Sequence, residues 1–111
     1  MTSARPAYEI EWHPAAADDL AQLDGSSPAL GDAALAAVDD VANHRKRGKP
    51  LGSRHTTGDL TGYYRVKFDL PGKHPQRYRL IYAHTDSQTV QIWAIGERAG
   101  QSVYSRSVSR D

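Results

Sequence analysis

Five residues in the second half of the chain have the side chains needed to act on a phosphodiester: Arg65, Lys67, Arg79, Arg98 and Tyr104. A planar guanidinium matches phosphate oxygens in pairs, and an ammonium crowded by other cations gives up its proton more readily. A phenol can stack on an unpaired base or orient a hydroxyl. Their spacing brings them together. In Tyr63-Tyr64-Arg65-Val66-Lys67-Phe68 the apolar Tyr64, Val66 and Phe68 alternate with Tyr63, Arg65 and Lys67, so a period of two sends both cations to one face. In the next run Tyr78, Leu80 and Tyr82 alternate with Arg77, Arg79 and Ile81. Paired as strands, the two runs set Arg65, Lys67 and Arg79 side by side, and Arg98 and Tyr104 arrive after a third strand. Four positive charges and a phenol then face an anion, most simply a nucleic-acid phosphate.

The elements that must position these groups follow in order. Residues 8 to 12 alternate apolar and acidic as a half-buried strand, and His13-Pro14 opens a helix to about Leu23 with Ala17 and Leu20 inward, helped by Ala16 and Leu23. Asp24-Gly25-Ser26 supplies a stop, Ser27 an N-cap and Pro28 a first helical position. The second helix is expected to run to about Lys46, with Leu30, Ala34, Ala37, Val38 and Val41 forming one buried stripe and Arg45-Lys46-Arg47 at its basic end. Residues 48 to 62 read as a connection. Three strands follow at about 62 to 69, 76 to 84 and 88 to 95, and their short loops force antiparallel neighbours. Residues 102 to 110 suit a short terminal helix. The expected fold is α+β: a small antiparallel sheet with two N-terminal helices packed on one face and a short C-terminal helix. It is one domain over 1–111, with 1–6 and 110–111 as flexible ends.

Composition sets the surroundings. At 111 residues, 39% hydrophobic and 24% charged, the chain reads as one soluble globule, and the absence of cysteine removes disulfides and thiolate metal sites. No run approaches the roughly 20 apolar residues that span a bilayer, and the N-terminus lacks a signal-peptide core, so the expected location is cytoplasmic with no membrane partner. Charge is sorted: residues 1–44 hold eight acids against Arg5 alone, whereas residues 45–111 hold thirteen cations against five acids. That asymmetry points to an anionic partner for the second part. His13, His44, His55, His74 and His84 show no ligand spacing, so no metal or cofactor is expected; His55 is the one nearest the hairpin. Tyr63, Tyr64, Tyr78, Tyr82, Trp12 and Trp93 read as packing residues.

From Tyr8 to about Arg110 the chain resembles the RelE/ParE superfamily of toxin–antitoxin toxins, and within it the RelE-like mRNA interferases. The resemblance resides in Gly58-Asp59-Leu60-Thr61-Gly62-Tyr63-Tyr64-Arg65-Val66-Lys67, in Arg77-Tyr78-Arg79-Leu80-Ile81-Tyr82, and in Gly96-Glu97-Arg98 with Val103-Tyr104. It implies a metal-independent, ribosome-dependent endoribonuclease in which Arg65, Lys67, Arg79, Arg98 and Tyr104 are catalytic; Arg77, His55, Arg45 and Lys46, by charge and position, are the candidates to bind RNA. The family more often has lysine where Arg65 stands. A cognate antitoxin, the ribosome and mRNA are the implied partners. The antitoxin would cover Arg65, Lys67 and Arg79 or dislodge the segment that carries Tyr104. The chemistry needs only in-line placement of a 2′-hydroxyl, proton transfer and charge stabilisation, with Lys67 as candidate base and Arg79 and Arg98 on the phosphate. Two other readings are a non-enzymatic DNA gyrase inhibitor like the ParE branch, which generally lacks this full set of residues, and a degenerate binding module.

Overall fold

A computed structural model describes residues 6–54 and 58–97. The order is β1 (Glu9–Trp12), α1 (Pro14–Ser26), α2 (Pro28–Ala42), β2 (Lys49–Arg54), β3 (Gly58–Phe68), β4 (Tyr78–His84) and β5 (Thr89–Glu97). The strands form one sheet in the order β1-β5-β4-β3-β2. β2, β3, β4 and β5 pair antiparallel, while β1 joins the far edge parallel to β5. The domain is α+β as expected, with a wider, mixed sheet. The expected terminal helix at 102–110 lies outside the described residues.

The helical hairpin is built by caps. His13 accepts a 3.1 Å bond from the Ala15 amide at its Nδ1, with Pro14 in the first turn of α1. α1 runs through the expected stop at Asp24-Gly25-Ser26, and Ser27 joins the helices: its amide donates to the Leu23 carbonyl while its hydroxyl accepts from the Leu30 amide. Pro28 then opens α2, as read from the sequence. The helices pack so closely that a Cβ on Gly31 would come within 3.0 Å of the Asp24 backbone. α1 buries Ala16 and leaves Ala17 exposed, one residue away from the expected register. The reason is Asp19. β1 ends opposite Ile92, leaving the edge of β5 beyond it uncovered, and the Asp19 carboxylate takes the Ile95 amide at 3.0 Å. A helix turned to present Asp19 to that edge also presents Ala16, Leu20 and Leu23.

The stripe Leu30, Ala34, Ala37, Val38 and Val41 on α2 is buried as expected, against Val66 and Phe68 of β3, Tyr78, Leu80 and Tyr82 of β4, and Val90, Ile92 and Ile95 of β5. α2 stops at Ala42, four residues before the expected end. His44 adopts φ 60, its amide bonds the Val41 carbonyl and the Arg45 amide bonds the Asp40 carbonyl. Those two bonds close a Schellman turn, with histidine where glycine is commoner. The basic run therefore lies beyond the helix and leads into β2, which residues 48 to 62 conceal in a Pro- and Gly-containing sequence.

The opposite sheet face carries a smaller apolar cluster of Leu51, Ile81 and Ala94, with Tyr63 and Trp93 against it. Trp93 is the extra residue where the β4–β5 register shifts, since Ile81 pairs with Ala94 and Tyr82 with Ile92. The β3–β4 loop is tied at its base by Asp69. Its carboxylate accepts two bonds from the Arg77 guanidinium at 2.8 and 2.9 Å, and bonds from the Arg77 and Leu70 amides at 3.0 and 2.7 Å.

Arg77 above all, and then the two amides, hold the Asp69 carboxyl well below the usual carboxylate range. Its native titration thus lies below that of the unfolded chain, so the clamp stabilises above about pH 4 and the contribution is lost as pH falls further. Asp69→Asn should lower unfolding free energy at pH 7 by about 2 kcal/mol, the order of a charged hydrogen bond. In denaturant titrations across pH, the gap to the parent protein should close in acid; a gap constant from pH 7 to pH 3 would exclude the clamp as its source.

Candidate nucleic-acid interface

The cations of the second half are placed by the β2–β3–β4 ladder. Lys49 stands opposite Arg65, and Lys67 opposite Arg79, while Arg65 and Lys67 share one face of β3. Lys49 begins β2, and before it the chain peels away towards the end of α2. The notch between that departing chain and β3 is a groove of about 350 Å³ lined by Lys46, Arg47, Lys49, Arg65 and Lys67, with Gln76 and Val66 beside them. Among the described residues no carboxylate lies within ion-pair distance of Arg47, Lys49 or Arg65.

Arg65 is half-buried, and its Nε is buried without a hydrogen-bond partner among the described residues. Leaving such a donor unmet usually costs about 1–3 kcal/mol, so its retention in a groove of like charge needs a reason. An oxyanion entering the groove would supply one.

The other site residues named from the sequence fall into distinct settings. Lys67 is exposed on the groove wall. Arg79 is 5% exposed, contrary to the solvated position its alternation implied. Its Nη1 donates to the Gln76 and Tyr78 carbonyls at 2.8 and 3.0 Å, so it braces the loop entering β4 beside Lys67. Alanine at this position therefore tests folding as well as chemistry. Arg77 is committed to Asp69 and lies over the Tyr78 ring at 5.3 Å. Arg45 pairs with Asp39 and Asp40, whose hydrogen bonds raise its pKa further, and Lys46 lies 3.9 Å from Asp40 while still lining the groove. Arg98, Tyr104 and His55 lie outside the described residues.

Arg47 and Lys49 line the groove although alternation in the sequence does not place them there, because their position depends on β2. The available signal was Lys49-Pro50-Leu51, with Leu51 buried and Pro50 allowed on an edge strand. Among the described residues no group of three histidines or carboxylates is arranged to hold a metal, and no helix is long and apolar enough to cross a membrane.

A two-helix layer on a five-stranded mixed sheet is also the fold of a solved toxin structure. The family model for the ParE toxin of type II toxin–antitoxin systems (parDE) matches residues 10–101, so the chain belongs to that family, in the RelE/ParE superfamily. Among solved structures it is similar to a mutant of Escherichia coli toxin RelE in the free state, at 21% identity over 94% of this chain and 97% of that one, with a TM-score of 0.56. It is also similar to the Mycobacterium tuberculosis RelBE2 toxin–antitoxin complex, at 26% identity over 83% of this chain and 99% of that chain, with a TM-score of 0.53. No curated protein sequence matches the chain.

Because Lys49 is exposed at the groove, Lys49→Ala should weaken single-stranded RNA binding with little change in stability. The slope of log affinity against log salt should fall by about 0.7, the loss of one phosphate contact. Lys73→Ala, exposed in the β3–β4 loop, is the control; equal effects of both would reduce the groove to general surface charge.

Proposed function

We propose that the protein is a toxin that cleaves mRNA on the ribosome, by attack of an RNA 2′-hydroxyl on the adjacent phosphate. The observation that carries this reading is the groove in which five cations converge around a buried Arg65 donor lacking a hydrogen-bond partner among the described residues. In the proposed step the 2′-hydroxyl gives its proton to Lys67 while its oxygen bonds to phosphorus. The bond to the 5′-oxygen breaks, and that oxygen takes up a proton from water. The products are a 2′,3′-cyclic phosphate and a 5′-hydroxyl. Arg65 and Lys49 hold the scissile phosphate, and the charge that grows on its oxygens favours guanidinium contacts most in the transition state. Arg98 is assigned to the same oxygens and Tyr104 to a splayed base, on the resemblance alone. Arg79 acts by bracing the entry to β4 or by reaching the phosphate once RNA is bound. A cognate antitoxin is the proposed controlling partner, as in the RelBE2 complex.

The name of the matching family favours a second reading, inhibition of DNA gyrase without catalysis. Purified protein should cut a defined message on programmed ribosomes, in chelator as well once ribosome integrity is otherwise maintained, and should leave gyrase supercoiling untouched. Lys67→Ala should slow cleavage by about 10²-fold or more without unfolding the domain. A message with 2′-deoxy at the cut site should resist. Cleavage of that message would sink the mechanism, and supercoiling inhibition without cleavage would favour the second reading.

A further inference from the structure

On the other side of the Lys46–Arg47 ridge lies a second cleft, of about 410 Å³. Its walls are rings. Tyr8 and His44 lie 4.4 Å apart, Tyr64 and Tyr82 stack at 5.5 Å, and His84 sits edge-on to Tyr8, Tyr64 and Tyr82 at 5.2, 5.7 and 5.9 Å. Lys46 and Arg47 line this cleft as well as the cationic groove, so one basic ridge is shared by both. At the bottom the Gly48 amide donates to the Tyr82 hydroxyl at 2.7 Å, which leaves the hydroxyl's own proton to be donated. Gly48 is required there, since a Cβ would come within 2.8 Å of Tyr64 and Tyr82. His44 holds its place at φ 60, a backbone conformation that costs a non-glycine residue energy and that recurs at functional sites.

We propose that this cleft binds an unpaired nucleotide, its base against the imidazole and phenol rings and its phosphate on Lys46 and Arg47. Three features select that ligand class. Of the wall rings, His84 is exposed and Tyr8, His44 and Tyr64 are half-buried, so they can meet a base while Tyr82 backs them from the core; the rim offers cations, which an uncharged aromatic would leave unused. The volume is at the small end of ligand sites, enough for one nucleotide and not a folded strand. Because the ridge is shared, a strand whose phosphate occupies the groove can place a neighbouring base in the cleft, which would make it a determinant of where the message is held. This goes beyond the cleavage reading, because occupancy by a mononucleotide needs neither ribosome nor bond breakage.

The test is an amide-resolved NMR titration of the full chain with adenosine 5′-monophosphate, adenosine and inorganic phosphate in parallel. The monophosphate should give saturable shifts at Gly48, Tyr64, Tyr82 and His84, and should bind more tightly than either fragment. His84 and Arg47 are exposed, so His84→Ala and Arg47→Ala should leave the rest of the spectrum in place while each weakens binding about tenfold, the order of one lost stacking or phosphate contact. Shifts confined to Arg65 and Lys67, non-saturable shifts, or unchanged affinity in both variants would overturn the proposal. Since the titration reads binding alone, it succeeds or fails independently of message cleavage.

Discussion

Like charges face each other across neighbouring strands: Lys49 against Arg65, and Lys67 against Arg79. Directly opposed cations work against a sheet by up to about 1 kcal/mol per pair. The reverse face outweighs them. Val66, Phe68, Tyr78 and Leu80 lie on the same strands as the cations, and each large apolar side chain buried beneath α2 is worth about 1.5–3 kcal/mol. The alternation that puts cations on one face thus puts their counterweight on the other. Arg79 shows a local solution: its charge is drawn into bonds with two carbonyls rather than left in the groove.

The second determinant is where α2 stops. Because the helix closes at His44 in a Schellman turn, residues 45 to 48 connect it to β2 instead of extending the helix. Arg45 turns back to Asp39 and Asp40, Gly48 docks on Tyr82, and Lys46 and Arg47 are left on a ridge between two clefts. The cationic groove and the aromatic cleft therefore share one structural cause. A longer helix would remove both.

Much of this was legible in the chain. Period-two alternation gave β3 and β4 with their faces, Ser27-Pro28 gave the start of α2, and the spacing from Leu30 to Val41 gave its buried stripe. What escaped depends on tertiary partners. β2 is hidden because Pro50 and Gly52 suppress the local strand signal, and the ladder that holds it comes from β3. Ala16 replaces Ala17 inward because Asp19 must meet an uncovered amide of β5, which no local pattern encodes. Arg79 and Arg77 look like solvated cations by alternation, yet one braces two carbonyls and the other a buried carboxylate. Of the groove's cations, alternation places Arg65 and Lys67 on one face of β3, whereas Arg47 and Lys49 join them only through β2, which the local pattern hides.

On this account Arg65 is kept in the groove for an anion at a cost to the fold. Arg65→Met keeps the length of the side chain while removing the buried, unmet donor and one of the crowded charges. Unfolding free energy and message cleavage, measured on the same preparation, separate the two roles. Stability equal to or above that of the parent, with cleavage lowered by about 10²-fold, is the expected result. Lost stability with cleavage retained would make Arg65 a structural residue and contradict the claim.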